Sequence, residues 1–148
     1  MREVYEVGII FRGFVIVSNE FKEIPTQKET KLQKDLRAAF ISAISSFAET
    51  AFSNNSLEYL ESGNILFIFK MSEVKPNDNV KKEPIIMYGL TEKKKKNPDK
   101  YVQKFLNKLN PIIESFTYRY NDKDFTELTQ FSPFEEELKR YFIKDKSD

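Results

Sequence analysis

The hydrophobic pattern starts almost at the first residue. Val4 to Phe21 reads VYEVGIIFRGFVIVSNEF, two apolar runs joined at Arg12-Gly13. A two-residue turn there predicts a β-hairpin. Phe11 then pairs with Phe14, Ile9 with Ile16 and Val7 with Ser18 on one face, and Ile10 with Val15 and Gly8 with Val17 on the other. Both faces are apolar. A sheet wetted on one side alternates apolar with polar residues, so this pattern predicts strands covered on both sides.

Further along, Thr26 to Glu29 has the spacing of a capping box, in which a hydroxyl and a carboxylate satisfy each other's orphan backbone donors. A long amphipathic helix follows in the pattern, with Leu32, Leu36, Phe40, Ile44, Phe47 and Ala51 at three- and four-residue steps up to Phe52. Its place is against one sheet face. Leu57–Glu61 and Asn64–Met71 predict a second hairpin around Ser62-Gly63, with a short, carboxylate-bearing first arm suited to a sheet edge. The stretch 72–83 is polar and turn-rich and reads as a mobile loop. Ile85 to Leu90 gives a fifth strand.

Asn97-Pro98 supplies an N-cap and a first-turn proline for a helix lined by Val102, Phe105, Leu106, Leu109 and Phe116, with a kink or break expected at Pro111. Asp122 to Gln130 predicts a short helix with Phe125 and Leu128 inward. Ser132-Pro133-Phe134-Glu135 repeats the capping-box spacing and opens a last helix carrying Phe134, Leu138, Tyr141 and Phe142, and residues 144–148 are expected to fray.

Composition narrows the chemistry. A chain of 148 residues is one domain's length, able to bury about two-thirds of its unfolded surface. A net charge of +1 gives no global basic field for nucleic acid. Apolar runs are too short to span a bilayer and the hairpin leaves no room for a leader, so the expected location is cytoplasmic. With no cysteine and no histidine, disulfides, thiolate nucleophiles, imidazole bases and the usual transition-metal ligands are absent. No phosphate-loop or dinucleotide motif occurs, and no carboxylate run has calcium-loop spacing, so neither cofactor nor metal is expected.

The order strand, strand, helix, strand, strand, strand, helix, helix, together with the VGIIFRGFVIVS hairpin, resembles the longin domain and the related roadblock family across roughly residues 3 to 143. That resemblance implies an α+β fold: a mainly antiparallel five-stranded sheet in the order 2-1-5-4-3, sandwiched between the long helix and the two later ones. It implies a non-catalytic docking and dimerisation platform, a homo- or heterodimer with another longin or roadblock subunit, working with small GTPases in vesicle trafficking. It also places Phe14 to Ser18 and Leu57 to Glu61 at the two sheet edges. No SNARE helix or lipidation motif accompanies the pattern.

The candidate partner-binding residues follow from these edges and from charge. Phe14, Val15 and Ile16 mark one edge; Leu57 and Tyr59 mark the other, where self-pairing would join the open amides of two copies. Lys93, Lys94, Lys95 and Lys96 lead into Lys100, Lys104 and Lys108 at four-residue steps, a row expected on the side of the helix away from Val102 and Leu109. It suits an acidic partner or, at most, peripheral contact with anionic lipid; the ordinary alternative is a solvated helix face. Phe125, Phe131, Phe134 and Phe142 sit in elements too short to bury them alone, and packing as a latch on the sheet is favoured over an exposed patch. A small-ligand sensory domain of the PAS or GAF kind is the alternative reading, distinguished by a cavity on an open sheet face.

Overall fold

The computed structural model describes residues 4–22, 59–62, 65–93 and 98–146, with side chains to residue 143. In chain order the elements are β1 Val4–Phe11, β2 Phe14–Glu20, β3 Tyr59–Ser62, β4 Ile65–Val74, β5 Glu83–Glu92, α1 Pro98–Tyr120, a 3-10 turn Leu128–Phe131 and α2 Ser132–Lys146. The strands form one antiparallel sheet ordered β2-β1-β5-β4-β3, the order expected from the longin-like pattern. The long helix predicted over 26–52 lies outside the described residues, as do Leu57 and Lys94, Lys95 and Lys96.

The first hairpin turns at Arg12 and Gly13, whose φ angles of 52° and 82° are both in the left-handed region that a tight two-residue turn requires. Phe11 meets Phe14 and Ile10 meets Val15 as expected, and then the register shifts: Ile9 pairs with Val17 and Gly8 with Ser18. Ile16 is the extra residue. A β-bulge accounts for it, and places Ile16 and Val17 in the same apolar cluster, which strict alternation forbids.

Both sheet faces are buried. One carries Val7, Ile9, Phe11, Leu66, Ile68, Ile85 and Met87 against Val102, Phe105, Leu109, Ile113 and Phe116 of α1. Phe125, Phe131, Phe134 and Phe142 are all buried in that cluster, so the late phenylalanines do form a latch on this face. The other carries Tyr5, Ile10, Phe69, Ile86, Tyr88 and Leu90. Close approach sets where α1 lies: a Cβ on Gly89 would come within 2.4 Å of the Phe105 ring.

Three expectations are corrected here. β4 continues to Val74 and pairs Ser72, Glu73 and Val74 with Ile85, Pro84 and Glu83, so the loop is only 75–82; polar strand ends hid it. That loop is tied down by Asn77 N–H to the Lys123 carbonyl at 2.9 Å and Asp122 N–H to the Lys75 carbonyl at 2.7 Å. Of the kink or break expected at Pro111, the break does not occur: α1 runs on from Pro98 to Tyr120, the apolar face it buries outweighing one lost backbone bond. Leu128 points outward at 54% exposure and Phe131 inward, since a three-residue turn period replaces the expected α-helical one. α2 is helical through Lys146, and the side chains of its last turn lie outside the described residues.

Candidate functional site

The two sheet edges differ. Along β2, the Phe11–Phe14 pair closes the turn, and alternation past the bulge turns the Ser18 peptide group outward. The Ser18 N–H faces the Glu135 carboxylate, and the Asn19 side-chain amide donates to the Glu135 carbonyl at 2.8 Å. Burial raises the Glu135 carboxyl above its ordinary value, and the Ser18 N–H opposes that shift. Glu135 therefore does not play the capping-box part read from its spacing; the Ser132 N–H instead donates to the Thr129 carbonyl. α2 closes the second half of this edge. Of the residues named for its first half, Phe14 is 66% exposed and Val15 partly so, whereas Ile16 is buried in the core on the face its alternation with Val15 gives it.

The β3 edge has no described element paired to its outer side. Ser62 pairs with Ile65 across a two-residue connection, so alternation directs the Leu60 peptide group to β4 and that of Glu61 outward. On the helix face, the Tyr59 hydroxyl donates to Asp99 Oδ1 at 2.6 Å and Lys93 Nζ lies 3.1 Å from Glu61 Oε2. Of the basic run, Lys93 is thus engaged with the edge strand. Lys100 and Lys104 are exposed on α1, and Lys108 departs from the expected outward row. Its ammonium lies 5.5 and 5.3 Å from the rings of Tyr141 and Phe142, and burial lowers its pKa.

Lys108 stands near one end of a surface groove of about 220 Å³ between α1 and α2. Ile112, Phe134 and Leu138 form its floor, and Pro111, Ser115, Glu137 and Tyr141 its walls. The sequence pattern gave both helices' apolar positions but not their approach, so the groove was not foreseen.

At the hairpin tip Arg12 gathers the 75–82 loop. Its guanidinium donates to both Asp78 oxygens at 2.8 and 3.0 Å, and to Glu83, one bond being 2.9 Å. These bonds hold both carboxyls below their ordinary values and raise the pKa of Arg12 further. On the second sheet face the Tyr88 hydroxyl donates to the buried Glu6 carboxylate. The residues of that face, Tyr5, Ile10, Phe69, Ile86, Tyr88 and Leu90, are buried. No group of three or more metal-ligating side chains converges among the described residues, and no described helix is long and apolar enough to cross a membrane. Comparison of the chain with protein-family models, with curated proteins and with solved structures gave no match.

Proposed function

We propose that this chain is a non-catalytic protein-docking and dimerisation module of longin-like type, which works in the cytoplasm with a small GTPase or its regulator in a trafficking-like system. The observation that carries this reading is the asymmetry of the sheet edges. β2 is shut over half its length by Glu135 and Asn19, while β3 turns the Glu61 peptide group outward beside exposed surface of α1. An extended partner segment adding to β3 gains main-chain hydrogen bonds there and reads Tyr59, Glu61 and Lys93 at its side chains. The same edge serves pairing with a second longin or roadblock subunit.

The test is titration of the full chain against a panel of small GTPases in both nucleotide states, with mass measured in solution. Glu61→Pro is the diagnostic variant: proline removes an outward donor and leaves the β3–β4 ladder untouched. The expected result is micromolar binding of at least one GTPase, weakened about tenfold or more by Glu61→Pro. A monomer that binds none of them and retains a small molecule contradicts the reading.

A further inference from the structure

We propose that the groove between α1 and α2 docks an acidic amphipathic helix of a protein partner, on a surface separate from the β3 edge. Its shape comes first. At about 220 Å³ the groove is smaller than the ~300–1,000 Å³ typical of small-molecule pockets, and an apolar floor of Ile112, Phe134 and Leu138 suits one or two anchoring side chains. A trough between two helices is the geometry that receives a third helix by its i, i+3 and i+4 apolar positions. A flat bilayer surface does not reach such a floor.

Charge then selects the partner. Lys104, Lys108 and Arg119 stand along the groove side of α1, and Arg140 stands one turn from Glu137 on α2. Against these four cations three carboxylates flank the groove among the described residues, Glu114, Glu136 and Glu137, and Glu114 accepts from the Asn110 side-chain amide at 3.3 Å. Glu137 is engaged by Arg119 at 2.9 and 3.2 Å, and Glu136 stands four residues before Arg140. The rim is net positive. Lys108 and Arg119 are about 16 Å apart along the helix axis and each lies over aromatic rings, Lys108 on Tyr141 and Phe142, Arg119 on Phe134. Lodged there, half-buried Lys108 has shed part of its hydration, which lowers the cost of meeting a carboxylate. Tyr118, 90% exposed one turn beyond Ser115, extends the rim with an aromatic of the kind that anchors interfaces.

Selection from a displayed library tests this. The library holds amphipathic helices of about four turns, with apolar anchors fixed at i, i+3, i+4 and i+7 and the flanking positions free. It is panned against the full chain and counter-selected on Ser115→Trp, which fills the groove from an exposed position. Groove-dependent binders are expected to be rich in Asp and Glu at the flanks. The charge reversal Lys104→Glu with Arg140→Glu, both at exposed positions, is expected to weaken them about tenfold or more. Glu61→Pro leaves them unaffected, so failure here and failure of edge docking are read separately. Neutral or basic flanks, equal binding to Ser115→Trp, or binding only to anionic phosphatidylserine vesicles overturns the proposal.

Discussion

Arg12 concentrates two opposing effects in one residue. Its positive φ is a conformation that costs a non-glycine residue about 1 kcal/mol or more, yet it aims the guanidinium at Asp78 on the 75–82 loop and at Glu83 where β5 begins. Because both carboxyls lie below their ordinary values of 3.8 and 4.5, the clasp's contribution is full above those values and fades as pH falls through the lower folded ones. Arg12→Gln is accordingly expected to lower the urea midpoint by a constant amount from about pH 5 to 8, with the difference from wild type shrinking below about pH 4. Buried polarity makes the second case. Tyr88→Phe strips a hydroxyl donor from the buried Glu6 carboxylate and is expected to cost about 1–3 kcal/mol in equilibrium unfolding. Gly8→Ala is expected to be at least as harmful, since the new Cβ would lie 2.6 Å from the Val17 carbonyl oxygen, which cannot swing aside.

Among the elements, the passage from α1 to α2 shows where pattern reading succeeds and where it stops. Phe131→Ala removes a fully buried ring packed on Phe116, Tyr120 and Phe125, and is expected to cost about 3–5 kcal/mol. Leu128→Ser, at an exposed position, is expected to stay within about 0.5 kcal/mol, and thermal denaturation separates the two. Periodicity chose Leu128 because it assumed an α-helical step, and a 3-10 turn has a different one. The β2 bulge was hidden for a related reason: Phe14 to Val17 is apolar throughout, so nothing in the run marks which residue is extra. The two apolar faces were legible in side-chain character, and the strand order is the one the longin resemblance implied. The Glu135–Ser18 contact and the Arg12 clasp were not, because each joins residues far apart in the chain whose local spacing suggested other roles.

Over the whole molecule, the account rests on one sheet with unequal edges, and a helix groove as a second and independent surface. The described helices cover one face, α2 reaches over β2, and no described element pairs with the outer side of β3. Residue-resolved amide exchange on the full chain tests this most directly, measured free and saturated with the GTPase selected by titration. In the free chain the Ser18 amide should be protected and the Glu61 amide should exchange much faster than that of Leu60; in the complex Glu61 should slow about tenfold or more. A Glu61 amide already as slow as Leu60 in the free chain, or one unchanged on binding while Val15 slows, would contradict docking at β3.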